Sequence, residues 1–139
     1  GYIKQKYLNK KQKMLPPEKY QAEDGTIILV GKNNLQNEQV SFKLSRRGDL
    51  WFHVKDIPGS HVLITGNANP SDETITFAGE LAAYFSKARY SNLVQVDVLD
   101  VKKLHKPTGT APGFVTYDRE KTIRVTPDES VIKSRKIGK

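Results

Sequence analysis

Three histidines, one tryptophan and no cysteine set the chemical repertoire of this 139-residue chain. The absence of cysteine excludes disulfides and thiolate nucleophiles, and it suits a reducing compartment. His53, His61 and His105 are the only imidazoles, and no two of them have the short fixed spacing of a zinc motif. Ser60 directly precedes His61, but neighbours on a strand point to opposite faces, so the two do not make a nucleophile–base pair. There is no G-x-S-x-G elbow, Walker loop or dinucleotide fingerprint, and the acids are scattered over turns and helix surfaces. The expectation is a chain that is not an enzyme, holds no metal and needs no cofactor.

Binding chemistry is better represented. Residues 49–64, DLWFHVKDIPGSHVLI, read as two short strands joined by a Pro-Gly loop. Leu50, Phe52 and Val54 alternate with Trp51, His53 and Lys55, so one face is apolar and the other carries an indole, an imidazole and an ammonium. On the return strand Val62 and Ile64 oppose His61, Leu63 and Thr65. Aromatic and basic groups on one strand face are how single-stranded RNA is stacked and clamped. A buried Trp51 that supports the sheet is the competing reading, and the sequence leaves both open. Further on, Lys106–Gly113 (KPTGTAPG) combines glycines, which let backbone N–H groups approach a phosphate, with prolines that limit the entropy lost on ordering. An ordinary strand connection is its plainer reading.

Charge points toward a polyanion. The net charge is +8, and residues 1–19 carry six Lys against one acid, while residues 102–139 carry ten Lys+Arg against four acids. The ends are thus +5 and +6, which leaves the middle about −3. Such concentration suits counterion release at phosphates more than an even solubilising coat. No run approaches the ~20 apolar residues of a membrane span, and no signal-peptide pattern opens the chain, so no membrane insertion is expected.

These residues have to be positioned by local elements. Residues 2–14 are good helix formers stopped by Pro16-Pro17. Thr26–Val30 is a β-branched strand, and a short helix is expected from about Leu35 or Asn37 to Leu44, with Asn37 as a possible cap. The strongest helical periodicity spans Glu73–Arg89, through Phe77, Leu81 and Ala88, with Gly79 as a mark of close backbone approach. Val94, Val96 and Val98 alternate with Gln95 and Asp97 in a strand that runs toward Leu104. Phe114–Tyr117 and Thr122–Val125 are expected to pair as a terminal hairpin, followed by a frayed polar tail. The fold class is therefore α+β: a largely antiparallel sheet with two main helices packed on it, preceded by a basic helical arm. The corresponding boundaries are 1–19 for the arm, 24–127 for the domain and 128–139 for the tail.

The string DLWFHVKDIPGSHVLI, the GKNN…NE segment (Gly31 to Glu38), the LAAYFS helix (Leu81 to Ser86) and KPTGTAPGFV together resemble the NFACT RNA-binding domain. This is the C-terminal module of the RqcH/NEMF proteins of ribosome-associated quality control, also called FbpA-like fibronectin-binding proteins in bacteria. The resemblance runs from about Thr26 to Pro127. It implies a cytoplasmic module that binds tRNA and the large ribosomal subunit and supports alanine tailing of stalled nascent chains, without being the peptidyl transferase. It also implies that residues 2–19 end a coiled coil. By motif, Asp49, Trp51, His53, Lys55, Pro58, Gly59, Ser60 and His61 form the characteristic hairpin, and Lys106, Gly109, Pro112 and Gly113 the second loop. Lys32 stands where the family commonly has arginine, and Gly79 interrupts a usually alanine-rich helix. The expected RNA contacts are Trp51, His53, Lys55, Ser60, His61, Lys102, Lys103, Lys106, Gly109 and Gly113. The alternative is a streptococcal-type surface adhesin that binds fibronectin or another extracellular matrix protein, displayed at the cell surface without a recognisable signal peptide.

Overall fold

The computed structural model describes residues 15–118 and 121–138. Seven antiparallel strands form one sheet: β1 (Glu18–Gln21), β2 (Ile27–Val30), β3 (Leu50–Val54), β4 (Val62–Thr65), β5 (Val94–Asp100), β6 (Lys121–Val125) and β7 (Lys136–Ile137). Their spatial order is β6-β5-β3-β4-β2-β1-β7, so the β3–β4 hairpin lies at the centre. The fold is α+β, as the alternation of the strands predicts.

Both faces of the sheet are covered, for reasons the side chains make plain. Phe52, Val54, Val62, Ile64, Ile28, Val30, Val96 and Val98 point to one side and pack under helix α2 (Asp72–Tyr84), which buries Phe77, Ala78, Leu81 and Ala82 against them. Trp51, Leu29, Leu63 and Leu99 point to the other side. There they meet Val40, Val101 and Leu104, which belong to the helical stretch 34–43 and to the chain that follows β5. That stretch is α1 (Asn34–Glu38) continued by a π-helical turn over Gln39–Lys43. Its cap is Asn33, whose side chain accepts from Gln36 N–H, rather than Asn37, which is buried.

Helix α2 starts where expected. Ser71 caps it, and Asp72 and Glu73 face its positive end. It stops at Tyr84, five residues before the predicted Arg89, because tertiary contacts claim the next backbone groups. Ser60 N–H donates to the Phe85 carbonyl at 3.0 Å, and Ser86 Oγ bonds back to the Ala83 carbonyl at 2.7 Å. Gly79 does mark a close approach: a Cβ there would sit 2.7 Å from Ile123 Cδ1 of β6.

Three expectations are corrected. β6 pairs with β5, Val94 opposite Val125, and not with residues 114–117. Thr116 instead bridges His105 through reciprocal backbone bonds of 2.8 and 2.9 Å, which closes residues 106–115 into a loop of their own. The terminal segment is built rather than frayed: α3 (Glu129–Ser134) buries Ile132 to 1% exposure, and β7 adds to β1. The basic arm lies mostly outside the described residues, and its last two positions, Glu18 and Lys19, begin β1.

Candidate nucleic-acid interface

The polar face of the central hairpin is inside the molecule. Trp51 has no exposed surface, so the reading in which it stacks on RNA is corrected: it supports the sheet. Its Nε1–H donates to Ser41 Oγ at 2.8 Å, and that hydroxyl lies 2.6 Å from His61 Nδ1. With Oγ accepting from the indole, the hydroxyl proton is directed at Nδ1, which leaves His61 neutral and protonated on Nε2. Burial first, and then the neighbouring His53 and Lys106, push the His61 pKa down to about 3, against a backbone hydrogen bond with Asn37. His53 lies parallel to Trp51, ring centroids 5.7 Å apart, and Tyr117 meets the indole edge-on at 5.1 Å. Burial also lowers the His53 pKa, against the Val54 and Gly59 carbonyls and Asp97. Ser60 and His61 are buried as well, so neither presents its side chain to a large polyanion.

The second loop is likewise a braced structure. Lys106 Nζ forms a salt bridge with Glu38 at 3.1 Å and donates to the carbonyls of Ala111 and of Phe114, the latter at 3.2 Å. Gly113 N–H donates to the same Glu38 carboxylate at 2.8 Å. A Cβ at Gly113, where φ is +84°, would meet the Asn34 carbonyl at 3.0 Å. Lys106 and Gly113 therefore hold the loop against α1, an assignment different from the expected phosphate contact. Gly109 stays at an exposed turn, Lys102 and Lys103 lie exposed on the 3₁₀ turn Val101–Lys103, and Lys55 is half-buried at the end of β3.

What the structure does bring together is the loop and the hairpin. Trp51, His53, His61, Pro58 and residues 113–117 line a cleft of about 550 Å³. Among the described residues, no group of three or more His, Cys, Asp or Glu side chains is placed to hold a metal.

A second cavity, of about 420 Å³, gathers Lys32 with Lys87 and Arg89, none of them among the expected RNA contacts. Lys32, Asn33 and Asn34 form one wall, Pro58, Gly59 and Ser60 another, and Phe85, Ser86, Lys87 and Arg89 the third. The walls are locked by close fits. Gly31 has no room for a Cβ, because one would lie 2.1 Å from Asn37 Oδ1. That same oxygen accepts from His61 N–H at 3.0 Å, and Gly31 N–H donates to the His61 carbonyl. Gly59 bridges Ser86. The cations are pre-positioned too. The Lys32 ammonium sits 3.6 Å over the Phe85 ring, and the Arg89 guanidinium sits 4.1 Å over Tyr84 while its Nε–H donates to the Tyr84 carbonyl. Among the described residues, no carboxylate forms a salt bridge with Lys32, Lys87 or Arg89. Burial lowers the Lys32 pKa, with Arg89 and Lys136 adding to it and Glu18 opposing it. The missed signal was that GKNN, PGS and YFSKAR converge, which only the fold reveals.

Preformed cations beside an aromatic-lined cleft on an antiparallel sheet have the make-up of a nucleic-acid-binding module. The chain belongs to the family of the NFACT protein RNA binding domain, whose family model matches residues 18–116. It is 65% identical over 138 residues to the Rqc2 homolog RqcH of Streptococcus suis and 49% identical over 136 residues to that of Bacillus subtilis. These alignments cover 99% and 96% of the chain but only 25% and 24% of those relatives, so the chain spans about a quarter of their length. A solved structure, the C-terminal part of the fibronectin/fibrinogen-binding protein from Streptococcus suis, superposes with a TM-score of 0.86 at 68% identity. It covers 88% of this chain and 50% of that one.

Proposed function

We propose that this chain is the RNA-binding module of a bacterial ribosome quality control factor, and that it grips RNA phosphates in the Lys32–Lys87–Arg89 crevice. The observation that carries this reading is the crevice itself: three cations without a carboxylate among its lining residues, walled by the motifs on which the family resemblance rests. Phosphate contacts of this kind supply affinity and orientation, and sequence is read elsewhere. In the whole protein the module would hold tRNA or large-subunit rRNA in the cytoplasm and so support alanine tailing of stalled nascent chains. Names of relatives as RqcH support that setting.

The name of the similar streptococcal structure favours a second reading, in which this module binds fibronectin. One experiment separates the two. The chain is titrated with labelled tRNA and with fibronectin at physiological salt, alongside the triple variant K32Q/K87Q/R89Q. RNA binding that the triple variant weakens supports the first reading. Retention of fibronectin alone overturns it.

A further inference from the structure

The cleft over His53 is separate from the phosphate crevice but shares a wall with it, because Pro58 lines both. We propose that this cleft receives one unpaired RNA base, whose backbone phosphate lies across the Pro58–Ser60 ridge among Lys32, Lys87 and Arg89. The proposal deepens the RNA-binding reading and rests on it.

Three observations point to a flat heterocycle. The cleft is about 550 Å³, within the range of roughly 300–1,000 Å³ that small-molecule sites occupy. Its floor is aromatic: Trp51 and His61 pack against His53, Tyr117 packs against the indole, and Asp56 and Ile57 lie at its side. Its mouth carries Phe114, which leaves 51% of its surface in solvent. About half of this ring faces solvent, on a loop held by the Lys106–Glu38 salt bridge, the Gly113–Glu38 bond and the His105–Thr116 bridge. The brace keeps the ring waiting at the mouth, so little ordering entropy is lost when a partner stacks on it. Every base has a π-face, so such a slot accepts purines and pyrimidines alike, whereas a paired base inside a duplex cannot enter it.

Trp51 is the sole tryptophan and lines the cleft, stacked on His53, so its fluorescence reports occupancy. The 139-residue chain is titrated with a single-stranded RNA oligonucleotide and with a duplex of the same length, and both anisotropy and Trp51 emission are followed. The single strand is expected to quench Trp51 and the duplex to leave it unchanged. Phe114→Ala, a surface change that spares the core, is expected to abolish the quench and weaken single-strand binding by roughly 10-fold or more. Duplex affinity and the salt slope should hold, and Phe114→Tyr should restore binding. Single-strand binding without a quench, or unaltered by Phe114→Ala, overturns the base pocket while leaving the crevice intact. Displacement of the quench by a phenylalanine-containing peptide at similar concentration also overturns it, in favour of a protein ligand. Failure of the wild-type chain to bind any RNA overturns the underlying reading as well.

Discussion

His61 links pH to folding. In the unfolded chain an imidazole titrates at its usual value of 6.5, whereas in the fold burial holds His61 neutral down to about pH 3. The unfolded state therefore binds the extra proton, and stability is complete above pH 6.5 and lost as pH falls from there toward 3. His53 shifts in the same direction. Over this window His61 contributes a loss of up to about 1.4 kcal/mol per pH unit. Urea denaturation across this window should show it, with a shallower slope in His61→Gln. Gly31 makes a second residue-scale test. Alanine there must displace the Asn37 side chain that holds His61 N–H, so Gly31→Ala should lower stability by about 2 kcal/mol and blunt the crevice. Thermal melts and RNA affinity measured on the same preparation would check both effects.

The last two elements change what counts as the domain. Helix α3 inserts Ile132 beneath α2, capped by Asp128, and β7 completes the sheet edge beside β1. Removing residues 128–139 should cost about 3 kcal/mol or more, since it uncovers a core position and strips a strand partner. Chemical denaturation of the truncated chain tests this, and an unchanged midpoint would return the segment to the status of a tail. Edge elements this short leave faint traces in sequence. ESVIKS and KI are too brief for periodicity to speak, and their burial comes wholly from the partners they meet.

Charge at the scale of the whole molecule is polar along α2. A cavity of about 870 Å³ that runs along this helix from Asp72 to Glu80 is lined by Glu23, Asp24, Asp72, Glu73 and Glu80 with the cation Arg135, while Lys87 and Arg89 follow the other end of the helix. Asp72 and Glu73 lie roughly 17 Å or more along the helix from Tyr84, so at ~8 Å of physiological screening these first-turn acids are largely screened from the crevice, while Glu80 stands nearer to it. RNA affinity should fall steeply with salt. Because each phosphate contact on a single strand contributes about −0.7 to the log–log slope, K32Q/K87Q/R89Q should reduce its magnitude by about 2, alike for different RNA sequences. An unchanged slope in the triple variant would place the phosphates elsewhere on the surface.

By itself the sequence determined the α+β class, the β3–β4 hairpin and the body of α2. These follow from alternation, helical spacing and local hydrogen-bonding chemistry, all of which act between near neighbours in the chain. It also marked the residues that matter, since DLWFHV, PGSH, GKNN and KPTGTAPG all touch one of the two cavities. Tertiary structure decided what those residues do. Period-2 alternation shows that Trp51 and His53 share a face, but not whether that face meets water; α1, the π-turn and residues 101–117 cover it and turn Trp51 into core. Lys106 reads as a free cation until Glu38, far away in sequence, is found 3.1 Å from it. Lys32, Lys87 and Arg89 become one site only because the hairpin loop stitches the end of α2 to the start of α1. Charge and aromaticity are local properties, whereas exposure and partnership arise from long-range contacts, and binding depends on the second pair.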